Sequence, residues 1–564
     1  MSRLYSDKEI VQIITDIAVR NNLKRVVISP GSRNAPLSIA FARDERIETF
    51  VLVDERSAAF FALGMAQQSN EPVGLVCTSG TALLNYAPAV AEAYYQRIPL
   101  VVISADRPLE WIDQDDSQAI RQQEALKGMV KGVYQLPVSV QGADDRWYAN
   151  RLVNEAFNTA LSGRKGPVHL NIPFREPLYG LKPYLEKNER IVRTINLVEN
   201  LSDDSLETLT RIIHSSSKIL VLAGQTAPSA ELQQALERFS SLPQVVVLTE
   251  TISNLSSPNF ITTIDRVITS FTEEELPEYM PELLISFGGP VVSKIIRRMI
   301  RSCPPVHHWY IGKGEPLIDT FCSLTERIDL SPEAFFRQLV SKSEPVMSDY
   351  AARWKMRDGQ QAQKHEAFLQ TTEWSDLKAF SILLPSIPQG SHLQVGNSST
   401  VRYAQLFKGC PALHTRGNRG TSGIDGSSST AAGASVVFEG QTILITGDMS
   451  FMYDSHAFWN PYLTSRFKVI VIKNGGGGIF RFIAGPSEVE ECEQYFETAQ
   501  EIDVERLADF YRLAYFKAGD EASLQEALPR FYAETERPAV LEVETPRQVN
   551  DRVLKAYFKS LQNK

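Results

Sequence analysis

Short apolar runs recur along the whole chain, and each closes on Gly, Ser, Asp, Asn or Arg before a stretch of helical pattern begins. In the first third they are RVVISP (25–30), TFVLVD (49–54), VGLVCT (73–78), LVVISA (100–105) and VHLNIP (168–173), with helix-like stretches such as Ser57–Ser69 and Ala82–Gln96 between them. An apolar run without alternation predicts a strand covered on both faces, and strands joined through helices pair in parallel. The middle third repeats the theme in KILVLAG (218–224), QVVVLTE (244–250), ELLISFGG (282–289) and VHHWYIG (306–312). The last third opens with a helix near 351–370 and continues with HLQVGN (392–397), TILITGD (442–448), KVIVIKN (468–474) and AVLEVET (539–545). Pro, Gly and charges at 174–190 and 341–350 read as linkers. The pattern predicts an α/β protein of three doubly wound parallel-sheet domains, 1–180, 190–342 and 350–564. A length of 564 residues suits three or four domains at roughly 100–200 residues each.

Composition narrows the function classes. With 58 basic and 67 acidic residues the formal charge is −9, which argues against a nucleic-acid binder, since phosphate backbones need a basic face. A small anionic substrate needs only a few local arginines. Five cysteines, at 77, 303, 322, 410 and 492, form no CxxC pair, so reduced thiols in a cytoplasmic protein are expected. The opening MSRLYSDKEIVQIITDIAVRNN reads as a charged amphipathic helix rather than a signal peptide. No uncharged apolar stretch approaches the roughly 18 residues of a membrane span.

In doubly wound sheets, ligands bind beyond the carboxyl ends of the strands, so the informative residues are those that follow the apolar runs. Two such ends stand out in the last third: Gly447-Asp448-Met449-Ser450, and Asn474 followed by four glycines. They lie one strand–helix–strand unit apart. A carboxylate with an amide oxygen suits a hard cation that takes its other ligands from phosphate. A glycine run lets backbone N–H groups approach phosphate oxygens. Either motif alone also reads as a turn after a buried strand; together they point to one cation–phosphate site. In the first third, Glu55 sits at a strand end leading into an Ala-rich helix, where desolvation raises a carboxyl pKa and suits proton exchange with a ring nitrogen. Alone, Glu55 reads more readily as a helix N-terminal charge favoured by the macrodipole.

The pair in the last third resembles the signature of thiamine-diphosphate enzymes, GDG followed after one strand–helix–strand unit by NN. Here it is GDM and KN, so the third glycine and the first asparagine are replaced while the metal-binding Asp and Asn remain. In that family the Asp and Asn side chains and a carbonyl two residues on bind Mg²⁺ (or Mn²⁺), which implies Asp448, Asn474 and Gly476. The family also carries a glutamate in an ExxAAxxAxG-like setting, matched by Glu55, Ala58, Ala59, Ala62 and Gly64. That glutamate exchanges a proton with N1′ of the aminopyrimidine and so activates C2 of the thiazolium. The resemblance further implies cofactor contacts at Ser79, Gly80, Asn397, Ser398, Gly447 and Ser450. Ile424 would be the apolar wedge that bends the cofactor, and Ile479 would pack beside the thiazolium. It implies pyrimidine-binding, central and diphosphate-binding domains, with the first and last meeting across a subunit interface in a homodimer or a dimer of dimers.

Arginines at strand ends narrow the resemblance. SPGSRNAPL, DERSAAFFALG, TSGTALLNYAPAVAEA, SADRP, QAIRQ, NIPFREPLY, GNSSTVR, NRGTSGIDGSSSTAAG and GDMSFMYD resemble the 2-succinyl-5-enolpyruvyl-6-hydroxy-3-cyclohexene-1-carboxylate (SEPHCHC) synthase family of menaquinone biosynthesis. These enzymes decarboxylate 2-oxoglutarate and add the resulting carbanion to isochorismate in a Stetter-like 1,4-addition. Both substrates are dicarboxylates, and guanidinium forks bind carboxylates in bidentate fashion. The resemblance implies catalytic or substrate contacts at Ser32, Arg33, Arg107, Gln118, Ser398, Arg402 and Arg419 beside Glu55. Two departures stand out. Ser117 precedes Gln118 where the family often has Asn. In the middle domain Lys294 is followed by Ile295, with Arg297 and Arg298 further on, and no substrate contact is assigned there. The alternative is another thiamine-diphosphate 2-oxoacid decarboxylase, or an enzyme like acetolactate synthase. Decarboxylases of this kind often use an adjacent His pair in the first domain. Here the pair, His307-His308, falls on a strand-like run of the middle third and reads as structural.

Overall fold

The computed structural model describes residues 4–183, 188–195, 197, 199–482 and 485–562. It contains three parallel six-stranded sheets with helical crossovers, as the runs of apolar residues require. In the first, strand order across the sheet is 48–51, 25–28, 73–77, 100–106, 168–173, 133–135. The last sheet repeats that connectivity as 414–416, 392–395, 442–447, 467–473, 539–544, 514–518. The middle sheet runs 260–261, 245–248, 219–223, 283–287, 307–311, 326–328.

The chain divides into two compact units. One comprises Met1–Asn196, Asn418–Thr442 and Ser450–Phe467; the other comprises Leu197–Gly417, Ile443–Met449 and Lys468–Lys564. The first unit holds the first sheet, around a core that includes Val26, Val76, Ile103 and Leu170. The second holds the other two sheets, Thr442 and Phe467 excepted, with cores that include Val221 and Ile285 in the middle sheet and Ile445 and Ile470 in the last.

Each sheet has a point where strand order reverses, and there the crossovers leave to opposite sides and open a crevice. In the first sheet it lies between Arg25–Ile28 and Val73–Cys77, which run on to Gly31-Ser32-Arg33 and Ser79-Gly80. In the last sheet it lies between His392–Val395 and Thr442–Gly447, which run on to Asn397-Ser398 and Asp448. In the middle sheet the chain's own backbone fills the corresponding place: Gly289 N–H donates to the Gln225 carbonyl (2.8 Å), and a Cβ on Gly224 would stand 2.0 Å from the Gly289 oxygen.

Three local expectations are corrected. Residues 4–6 form a strand paired antiparallel with 181–183, and the first helix spans Glu9–Arg20. The expected linker at 174–190 thus contributes a strand; its residues 184–187 lie outside the described ones. The helix expected over 82–96 is two, Thr81–Asn85 and Ala87–Gln96, because Pro88 lacks the N–H a continuous helix needs and instead starts the second helix. Among the described residues no helix is long and apolar enough to cross a membrane.

Candidate active site

In the first unit, the strand ends bring the expected residues into one neighbourhood. Asp54 caps the helix Glu55–Ser69, its side chain accepting the Ser57 N–H at 3.0 Å, so Glu55 falls at the first helical position. Burial raises the Glu55 carboxyl pKa, and the neighbouring Asp54 adds to it. Glu55 is close enough to Cys77 and Tyr86 for its charge to reinforce the upward push that burial gives both groups. Gly80 has φ +84°, and a Cβ there would stand 3.3 Å from the Gln118 backbone, so this glycine lets the two loops touch.

A buried polar network, centred on a residue that sequence reasoning passed over, ties these loops to the arginines. The Gln122 carbonyl oxygen accepts the Gly80 N–H (2.8 Å), and its amide donates to Asn171 Oδ1 (2.8 Å) and the Ala105 carbonyl (3.1 Å). Asn171 donates to Asp106 (2.7 Å), whose other oxygen takes the Arg107 N–H (2.7 Å). Arg107 donates to the Ser117 carbonyl (2.8 Å) and pairs with Asp116 (3.0 Å). Arg33 is buried, donates to the Phe174 carbonyl (3.1 Å) and pairs with Glu176 (3.2 Å). Burial lowers the Arg33 pKa, and Arg107 nearby lowers it further. Two guanidinium groups so placed favour a carboxylate between them. Ser32 hydroxyl meets the Tyr179 hydroxyl at 3.1 Å. In the same unit Arg419 is buried, and the loop after it is held by Glu92, which accepts the N–H groups of Gly420 and Thr421, each at 2.6 Å. Ser450 hydroxyl donates to the Ile424 carbonyl (2.8 Å).

In the second unit, Asp448 and Asn474 stand at neighbouring strand ends. Asp448 accepts N–H groups from Met449 (2.7 Å) and Gly475 (2.8 Å), and burial pushes its carboxyl up to about 6. Asn474 donates its amide N–H to Asp376 (3.0 Å), which fixes the orientation of the carboxamide. Asp376 is itself held by the Thr545 hydroxyl (2.6 Å) and carried no sequence signal. Gly476, at φ +148°, would drive a Cβ to 2.8 Å from the Glu497 carbonyl, and that carbonyl takes the Gly477 N–H at 2.8 Å. Ile479 is buried in the turn that follows. The Gly476 carbonyl itself accepts the Gly478 N–H (2.9 Å) and keeps a second lone pair. The donor types, a buried carboxylate, an amide oxygen and a backbone carbonyl, suit a hard divalent cation whose remaining ligands are phosphate oxygens.

Ser398, at φ +68°, precedes the short helix Ser399–Ala404, which carries Arg402. Burial lowers the pKa of Arg402; Asp265 and Glu250 oppose this, while Arg297 adds to it. Burial also lowers Lys294, with Arg402 and Arg297 reinforcing the shift. The structure thus brings the middle domain's Lys294 and Arg297 beside Arg402, a grouping the sequence left unassigned. His308 is a sheet residue: its ring meets Ser286 Oγ (2.8 Å) and Ser323 Oγ (3.1 Å), and burial lowers its pKa to about 4.

Residues 8–126 match the family model described as thiamine pyrophosphate enzyme, N-terminal TPP binding domain. The chain is 44% identical over 566 residues to the 2-succinyl-5-enolpyruvyl-6-hydroxy-3-cyclohexene-1-carboxylate synthase of Porphyromonas gingivalis, covering 98% of this chain and 97% of that one. The chain belongs to the SEPHCHC synthase family. Relatives of the same name in Flavobacterium johnsoniae (44% identical, 99% of this chain and all of that one) and Bacteroides thetaiotaomicron (33%, all of both) match end to end. Against other SEPHCHC synthases the likeness therefore extends through the middle sheet, where the motifs were weakest.

Proposed function

We propose that the protein is a thiamine-diphosphate-dependent SEPHCHC synthase that decarboxylates 2-oxoglutarate, adds the remaining four-carbon unit to isochorismate by 1,4-addition and releases CO₂. The observation that carries this reading is the set of arginines that follow strands, Arg33 and Arg419 buried and Arg107 and Arg402 half-buried, on a chain whose full length matches that family. A simple decarboxylase acting on a monocarboxylic oxoacid needs no such set. Domains 1–180, 190–342 and 350–564 are assigned as pyrimidine-binding, central and diphosphate-binding, one sheet to each.

Bound thiamine diphosphate supplies the electron sink for decarboxylation. Asp448, Asn474 and the Gly476 carbonyl would hold Mg²⁺ or Mn²⁺, which would neutralise the diphosphate. Ser79, Gly80, Asn397, Ser398, Gly447 and Ser450 would line the cofactor, with Ile424 and Ile479 as its apolar contacts. Glu55 would exchange a proton with the aminopyrimidine N1′ of bound cofactor; burial, which raises its carboxyl pKa, favours that exchange. Ser32, Arg33, Arg107, Gln118, Ser398, Arg402 and Arg419 bind and orient the carboxylates. Lys294 and Arg297 extend the positive field around Arg402. The chain works in the cytoplasm as a homodimer or a dimer of dimers, with the residues of each centre drawn from two copies.

The test is steady-state kinetics on Arg33→Ala, Arg107→Ala, Arg402→Ala and Arg419→Ala, varying each substrate in turn. Removing one fork from a buried carboxylate costs about 2–5 kcal/mol, so kcat/KM should fall at least tenfold for one acid or the other. Wild-type kcat/KM for both acids in all four variants would remove the arginines from the site.

A further inference from the structure

The residues on either side of Glu55 are fastened to a single segment of the chain, 429–456, while the Glu55 carboxylate takes its own backbone N–H. Asp54 faces His456 Nδ1. Arg56 donates to the Tyr453 carbonyl (2.9 Å) and lies 4.8 Å from the centroid of that ring. Ser57 hydroxyl meets the Ser429 hydroxyl at 2.9 Å. The ties of Ser57 and Arg56 converge on Asp454. One of its oxygens takes the Ser429 N–H (2.6 Å), the other takes the Ser429 hydroxyl (2.7 Å), and Arg56 stands 3.9 Å away.

Asp454 is fully buried, and burial pushes its carboxyl up to about 7 in spite of the bonds from Ser429. A desolvated carboxylate is a costly way to join two helices. The helix crossing does not require it. Gly64 and Gly433 already let Glu55–Ser69 and Ser427–Val437 meet backbone to backbone, since a Cβ on either would stand 1.9 Å from a carbonyl oxygen of the other helix. What Asp454 adds is direction: it orients Ser429 at the N-terminal turn of one helix and, through it, Ser57 at the N-terminal turn of the other.

We propose that Asp454 is a positioning residue that acts through Ser429 on Ser57 and Arg56 to fix the first turn of the Glu55 helix, so that the Glu55 carboxylate is aimed at the ring nitrogen with which it exchanges a proton. The inference rests on the proton-exchange role given to Glu55 above. Misplacement by about 1 Å can cost on the order of 10²-fold in rate without abolishing binding.

The test compares Asp454→Asn, Ser57→Ala and Glu55→Gln. Two quantities are read on each: exchange of the C2 proton of bound thiamine diphosphate, and amide hydrogen exchange over residues 54–60 in the cofactor-free protein. Calorimetry with thiamine diphosphate and Mg²⁺ gives the cofactor affinity. Asp454→Asn and Ser57→Ala should each slow C2 exchange by roughly 10–100-fold, keep cofactor affinity within about threefold, and speed amide exchange at 54–60. Glu55→Gln should lose C2 exchange with amide protection intact. If Glu55→Gln loses C2 exchange while the other two variants keep wild-type exchange and protection, the positioning role is overturned and the role of Glu55 stands. If Glu55→Gln keeps wild-type C2 exchange, the role of Glu55 falls and the positioning role falls with it. Should Asp454→Asn fail to fold, Ser57→Ala decides, since it breaks the link and leaves the carboxylate with its Ser429 bonds.

Discussion

Asp448 must be ionised to take a cation, and burial holds its carboxyl at about 6. Below that pH protons compete with the metal; above it they do not. Affinity for Mg²⁺ and thiamine diphosphate together should therefore fall about tenfold per pH unit below 6 and flatten above 7, by calorimetry. Asp448→Ala should abolish the pH dependence along with most of the affinity. Asp376 is predicted to matter almost as much. Asp376→Ala frees the Asn474 carboxamide to turn, and removal of such an orienting partner typically costs 10–100-fold in metal affinity. Unchanged affinity in that variant would mean that Asn474 is fixed by something else. The contrast between these residues shows what a sequence carries at this scale. Asp448 and Asn474 are legible because each closes an apolar strand, and strand ends are where ligands bind. Asp376 opens a helix, and Gln122 and Asp454 likewise lie in or beside helical stretches; none of them closes a strand. Their roles arise from three-dimensional proximity, which leaves no spacing to read.

At the scale of elements, the close approach of Glu55–Ser69 and Ser427–Val437 depends on two glycines. Gly64→Ala would place its Cβ 1.9 Å from the Thr430 carbonyl oxygen, so the helices must part. Forced overpacking of this kind costs about 1–3 kcal/mol, and thermal unfolding should show a lower Tm. A Tm equal to wild type would show that the helices part freely. Ala62, also buried on this helix, has a Cβ already and supplies a control position. The sheets make a related point about legibility. The central strands are largely buried on both faces, and the runs of apolar residues mark them all, even where one face carries buried polar residues such as His169, Asn171, His392 and Gln394. In the three six-stranded sheets the strands that escaped are edges: VYQ at 133–135, FI at 260–261, ERI at 326–328, HTR at 414–416 and AYFKA at 514–518. An edge strand has one neighbour, is short and is less enclosed, so its residues are not driven to be apolar. Only Glu48–Val51, carried by a longer apolar run, stands as an edge that the pattern marked.

For the whole molecule, the first and last sheets share one connectivity, and their reversal points coincide with the Ser32–Arg33, Ser79–Gly80, Asn397–Ser398 and Asp448 strand ends. The middle sheet, its reversal point filled by its own backbone, contributes Lys294 and Arg297 beside Arg402 instead. On the proposed function, such a division would give cofactor chemistry to the first and last sheets and part of anion recognition to the middle one. Sedimentation at micromolar concentration should show a dimer or larger; a monomer retaining full activity would contradict centres built from two copies. The most direct test of the account is product analysis by mass spectrometry. Purified protein is incubated with thiamine diphosphate, Mg²⁺, 2-oxoglutarate and isochorismate, and CO₂ is measured alongside. The account predicts one SEPHCHC and one CO₂ for each isochorismate consumed. Release of CO₂ from 2-oxoglutarate with isochorismate left intact would contradict it and make the protein a simple oxoacid decarboxylase.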